Sequence, residues 1–111
     1  MSSDIELMRQ AAKAAGLPIE CWEKGCHAFR LKTWMPGEPS RWNPLTNDGD
    51  ALRLAVGAGI EIGSVFQYGR ALATIGTTRG RGEFWEDGLD PLKATRRAIV
   101  RAAAEIGRRM P

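Results

Sequence analysis

Thr46-Asn47-Asp48-Gly49-Asp50-Ala51-Leu52-Arg53-Leu54-Ala55-Val56-Gly57-Ala58-Gly59-Ile60-Glu61-Ile62 changes its periodicity part-way along. Thr46 or Asn47 supplies an N-cap oxygen, and Asp48 and Asp50 follow where a helix N-terminus favours negative charge. Leu52, Ala55 and Val56 recur at helical spacing and are expected to face inward. Arg53 is the only basic residue, and Ala51, Leu54 and Ala58 leave the helix apolar nearly all round, the pattern of a well-buried helix. Gly57 and Gly59 end it. From Ile60 the period drops to two, with Ile60, Ile62, Phe66 and Tyr68 on one parity. A helix therefore stands mid-chain and opens directly into a strand.

Working outward, Gly69-Arg70 turns the chain and residues 71–77 form the returning strand. Thr77 to Gly82 is a glycine-rich loop, and Glu83-Phe84-Trp85 adds a short strand. Asp90 caps a last helix with Pro91 at its first position, and Leu92, Ile99, Ala103, Ile106 and Met110 form its apolar stripe. Toward the N-terminus, residues 36–46 hold three prolines and read as a loop. Residues 19–24 and 26–35 read as a β-hairpin turning at Lys24-Gly25. A first helix spans residues 3–15, opened by the capping-box pair Ser3 and Glu6 and closed by Gly16 and Pro18. The predicted order is α-β-β-α-β-β-(β)-α. The fold class is α+β: residues 1–111 as one α-β-α sandwich with a mainly antiparallel sheet covered by helices.

The 111 residues suffice for one core, and 43% hydrophobic with 26% charged residues is ordinary for a folded domain. No apolar run approaches the ~18 residues of a membrane span. Met1-Ser2-Ser3-Asp4 lacks the basic-then-apolar pattern of a secretory leader, so a cytoplasmic location is expected. Cys21 and Cys26 are then expected as free thiols. The net charge is +3, but its distribution is uneven. From Asp90 onward, Lys93, Arg96, Arg97, Arg101, Arg108 and Arg109 face only Asp90 and Glu105.

No catalytic set assembles. His27 is the only histidine, and Cys26 lies on the opposite face of the same strand. Cys21 can face His27 across the hairpin, yet no third group orients the pair. Cys21, Cys26 and His27 do not have the spacing of a zinc site. Asn47-Asp48-Gly49-Asp50 lacks the full calcium-loop pattern and reads as an N-cap and turn. Gly57-Ala58-Gly59-Ile60-Glu61-Ile62-Gly63 runs from helix to strand, the reverse of a phosphate cradle, and reads as a helix C-cap. No metal and no cofactor are expected.

Surfaces remain. If the two hairpin strands share parity, one face displays Trp22, Lys24, Arg30, Lys32 and Trp34, aromatics interleaved with bases that suit a partner protein or stacked nucleobases. The alternative is that a helix covers this face and buries the tryptophans while the cationic heads reach its edge. Arg79 and Arg81 in the glycine-rich loop extend the partner-binding set. Arg96, Arg97 and Arg101 on the last helix are candidate anion or nucleic-acid contacts, or else a solvated face in which Arg101 pairs with Glu105.

Three blocks carry a family resemblance. Trp42-Asn43-Pro44-Leu45 with Asp48-Gly49-Asp50-Ala51-Leu52-Arg53-Leu54-Ala55-Val56, the closing run from Asp90-Pro91 through Ala94–Gly107, and Glu6-Leu7-Met8 with Ala11–Gly16 together resemble the phage ABA sandwich domain family. The resemblance covers roughly half the chain. It implies a layered α–β–α fold and a bacteriophage or prophage origin, and it brings no catalytic residues. The resulting expectation is a non-enzymatic accessory protein that binds a host protein in the bacterial cytoplasm. By analogy, its purpose is to inhibit an anti-phage defence complex in the manner of an anti-CRISPR protein. The alternative is a small nucleic-acid-binding module using the basic last helix and the Arg-Gly loop. Self-association as a homodimer through a hairpin edge or a tryptophan face is a further candidate.

Overall fold

Helix α1 (Ser2–Ala15) closes with Gly16 in the left-handed region, φ +69°. The Leu17 amide bonds to the Ala12 carbonyl and the Gly16 amide to that of Lys13, a paired cap that only a residue tolerant of positive φ supports cheaply. In the computed structural model, which describes residues 2–24, 27–31, 41–65, 70–77, 80–87 and 90–110, the elements that follow are β1 (Ile19–Glu23), β2 (Ala28–Leu31), β3 (Arg41–Trp42), α2 (Asp48–Ala58), β4 (Ile60–Val65), β5 (Arg70–Thr77), β6 (Gly80–Asp87) and α3 (Pro91–Arg109). The architecture is the expected α+β one, with antiparallel strands in two sheets, β1-β2-β3 and β4-β5-β6.

The second sheet follows the sequence in β4 and β5 and departs from it at Gly80–Gly82, read as part of a glycine-rich loop but paired with β5 as the start of β6. β4 pairs with β5 from Ile60–Ile75 to Val65–Arg70 without a break, and β5 pairs with β6 from Arg70–Asp87 to Thr77–Gly80. The short third strand expected at 83–85 is thus eight residues long. The first sheet departs from expectation in two ways. Trp42 and Arg41, read as loop, form β3 and pair with Phe29 and Arg30. Ile19 pairs with Leu31 and Trp22 with Phe29, so β1 uses one more residue than β2 over the same stretch, a β-bulge.

That bulge sets the side-chain faces. Trp22, Phe29 and Trp42 point the same way and form an aromatic cluster, Trp22 edge-on to Phe29 at 5.2 Å and Trp42 tilted at 6.4 Å. Phe29 and Trp42 are buried, and the guanidinium of Arg9 sits 5.3 Å from the Phe29 ring centre. Met8, Leu54, Ile99 and Val100 are further large side chains of the core.

Small residues knit the helices together. Ala11 and Ala12 on α1 and Ala102 and Ala103 on α3 are fully buried. At their crossing, Gly107 lies so close to α1 that a Cβ there would stand 1.9 Å from the Gln10 carbonyl oxygen. Helix α3 is capped by Asp90, which accepts from the amides of Leu92 and Lys93, and packs on β5 and β6; α2 packs against α3 and leads directly into β4. Two apolar assignments need correction. Leu52 and Val56 of α2 face solvent while Ala51, Leu54 and Ala55 are buried, and Leu92 of α3 is exposed rather than part of the stripe. Gly59, φ +70°, caps α2 through bonds to the Ala55 and Val56 carbonyls, as the C-cap reading requires.

Candidate functional site

Pro44 follows Asn43, and the short side chain of Asn43 folds the turn around itself. Its Oδ1 accepts from the amides of Leu45 and Thr46, its Nδ2 donates to the His27 carbonyl, and its own amide donates to the buried carboxylate of Asp50 at 2.9 Å. One residue therefore ties the β1–β2 turn to the start of α2. His27, the residue so held, has φ +49°, a left-handed conformation that histidine adopts more readily than most side chains. It is exposed in the turn, not on the strand.

This turn forms one wall of a cleft of about 480 Å³. Asp4, Ile5 and Met8 of α1 line it at helical spacing, Trp22 comes from β1, and Lys93 and Arg97 stand one turn apart on α3. The apolar portion is Ile5, Met8, Leu45 and the face of Trp22. The charged portion is an Asp4–Arg97 ion pair at 3.3 Å with Lys93 beside it. Among the described lining residues two cations, Lys93 and Arg97, stand with the carboxylate of Asp4, and an indole beside them offers a flat apolar surface. Such a cleft suits a partner that presents an apolar side chain next to a carboxylate.

Among the residues singled out in the sequence, the structure brings Trp22 and Arg97 into this cleft and separates others from it. Arg30 does not share a face with Trp22: the β1 bulge turns Trp22 inward beside Phe29, and Arg30 lies on the outer face, 3.9 Å from Glu20. Arg41 similarly meets Glu23 at 3.6 Å, so that outer face is a set of exposed ion pairs. Lys24 is exposed in the turn after β1. Lys32, Trp34, Arg79 and Cys26 fall outside the described residues, and Arg81 lies within β6 opposite Gly76.

The arginines of α3 also separate. Arg96 is mostly buried: its Nε donates to the Leu45 carbonyl at 2.8 Å and its Nη1 to Asp48 at 2.6 Å. It is a structural clamp between α3 and the entrance to α2, which corrects its reading as an anion contact. Glu105 pairs with Arg108 and Arg109. Arg101 lines a separate cleft with Glu6, Gln10 and Arg108. Lys93, Ile5 and Met8 went unremarked as site residues because each reads as an ordinary helix position. Only the packing of α1 against α3 puts them together.

Among the described residues, no three histidine, cysteine or acidic side chains gather as a metal site, and no helix is long and apolar enough to cross a membrane. The chain matches no family model, no curated protein and no solved structure.

Proposed function

We propose that the protein acts by binding another protein through the Trp22 cleft. The observation that carries this reading is the meeting of an indole and an apolar floor with Lys93 and Arg97 in one opening. Aromatic anchors beside cations are what protein interfaces use for affinity and orientation. The sequence resemblance to phage proteins directs the choice of partner: a host protein in the bacterial cytoplasm, with interference in an anti-phage defence complex as the purpose.

The test is affinity capture from bacterial lysate with the wild type beside Lys93→Glu and Trp22→Ala. Lys93 is exposed, so its reversal leaves the fold intact; Trp22→Ala is checked by thermal melting because Trp22 also touches Phe29. A protein held by the wild type and bound roughly 30-fold more weakly by each variant, the loss of an anchor contributing about 2 kcal/mol, is the expected result. Capture indifferent to both changes, or retention of nucleic acid alone that disappears with added salt, removes the reading.

A further inference from the structure

Among the described residues, His27 is the one non-glycine position with a positive φ, +49°. Left-handed backbone is unfavourable for an L side chain and persists where the surroundings hold it. Here the holder is Asn43, itself buried: its Nδ2 donates to the His27 carbonyl, while its Oδ1 and its amide are committed to Leu45, Thr46 and Asp50. None of these bonds uses the imidazole. Packing does not account for the imidazole either, because His27 is exposed. Glycine would take the same conformation without strain. A histidine kept strained while adding nothing to the core is explained by what it borders, and His27 lines the Trp22 cleft together with Lys93, Arg97 and Asp4.

We infer, on the reading that this cleft is a protein-binding surface, that His27 is a ligand-contacting residue and that with Lys93 it grips a single carboxylate standing next to an apolar side chain on the partner. An imidazole donates an N–H bond whether neutral or charged, so the contact needs no proton to be gained. Lys93 brings an ammonium with three donors. The two come from different elements, the β1–β2 turn and α3, and the Asn43 bonds fix where the turn stands.

The other lining groups narrow the ligand class. Asp4 holds Arg97 at 3.3 Å and keeps a carboxylate inside the same opening. A ligand group with two negative charges would meet that carboxylate at a cost, which favours an aspartate or glutamate over a phosphate. Ile5, Met8, Leu45 and Trp22 give the neighbouring side chain an apolar seat. The volume, about 480 Å³, is that of a pocket for a small group, room for two adjacent side chains and not for an element of structure. The ligand is therefore a short acidic segment, an apolar residue followed by an aspartate or glutamate.

NMR titration of the full chain with capped dipeptides tests this. Acetyl-Phe-Asp-amide is expected to bind the wild type with a Kd of about 1 mM, shifting the Trp22 indole N–H and the Lys93 amide, and its neutral mate acetyl-Phe-Asn-amide about fivefold more weakly. His27→Gly should melt no lower than the wild type, because glycine relieves the positive φ. It should nonetheless bind the aspartyl peptide about fivefold more weakly and no longer prefer it. His27→Asn, which tolerates positive φ and keeps an N–H donor, should restore part of the preference. Lys24→Gln, in the same turn but outside the cleft, should change nothing. Equal affinity of wild type and His27→Gly overturns the inference, as does a His27→Gly that melts well below the wild type, which would make the imidazole structural. So do tighter binding of acetyl-Phe-phosphoserine-amide and no binding of either first peptide at about 10 mM. In the lysate capture, a partner held equally by wild type and His27→Gly overturns the role of His27 and leaves the proposed function standing. Capture of no protein removes the proposed function, while the peptides still decide the chemistry of the cleft.

Discussion

Helix α2 has eleven residues and a single arginine; α3 has nineteen residues and five arginines, and the two choose their buried faces differently. In α3 the charged side chains leave one side for the core, and Ala94, Ala98, Ile99, Val100, Ala102, Ala103 and Ala104 take it. In α2 nearly every position is apolar, so hydrophobicity does not select a face. The choice falls to a polar group. Asp50 is buried because its carboxylate accepts the Asn43 amide, and it carries Ala51, Leu54 and Ala55 inward with it. Leu52 and Val56 are left over on the far side. An amphipathic helix is oriented by what it must keep in water, whereas this one is oriented by the one polar bond it must keep dry.

The severest way to break the comparison is at the crossing of α3 with α1. Gly107→Ala places a methyl group 1.9 Å from a backbone oxygen that no rotamer can move. It should cost about 3 kcal/mol or more, read as a lowered urea midpoint. A loss under about 1 kcal/mol would mean that the helices separate easily and that α3 is not locked against α1.

Next in size is a contrast within α2 itself. Leu54→Ala removes a fully buried side chain and should cost about 3 kcal/mol. Leu52→Ala, two positions away, should change stability by less than about 0.5 kcal/mol. Similar losses at the two sites would show that α2 is turned about its axis, with Leu52 sharing the buried face. Asp50→Ala addresses the cause of that orientation. It leaves the Asn43 amide without its acceptor and should cost about 2 kcal/mol.

Gly57→Ala runs the other way. Its new methyl would meet the Ala15 methyl at 3.4 Å, an ordinary contact, and replacing glycine within a helix should add about 0.5 kcal/mol. The opposite signs expected at Gly57 and Gly107 separate a glycine that merely precedes a helix end from one that permits a helix crossing.

How much of this was legible in the sequence follows the same division. The caps at Asn47 and Asp90, the stop at Gly59 and the unbroken β4–β5 pairing are local chemistry, and local spacing finds them. The face of the first sheet is not local: one extra residue between Ile19 and Trp22 inverts the parity that placed Trp22 with Arg30. Nor is the two-residue strand at Arg41–Trp42, which exists because Phe29 offers it a partner among prolines that suggest only a loop. The cleft is legible in fragments. Trp22 and Arg97 stand out by residue type, but Ile5, Met8 and Lys93 join them only through the packing of α1 on α3. Arg96 shows the converse, a basic residue in a basic stretch whose guanidinium is occupied by the Leu45 carbonyl and Asp48.

The smallest effect sharpens the difference between the helix ends. Helix α2 has no basic residue in its last turn, while α3 ends with Arg108 and Arg109 around Glu105. The Arg108 hydrogen bond, with the nearby charges of Arg108 and Arg109 and the Arg109 hydrogen bond adding to it, holds the Glu105 carboxyl below its usual 4.5 against a smaller opposing push from burial. A carboxyl with a lowered folded pKa stabilises the protein above its unfolded pKa, and that stabilisation fades as pH falls through the folded value. Glu105→Gln should therefore cost about 0.5 kcal/mol at neutral pH, a small figure because the arginines are largely exposed. The gap from wild type should close in acid. Arginine does not titrate in this range, so a gap that persisted in acid would assign the loss to packing of the side chain on α1 and not to its charge.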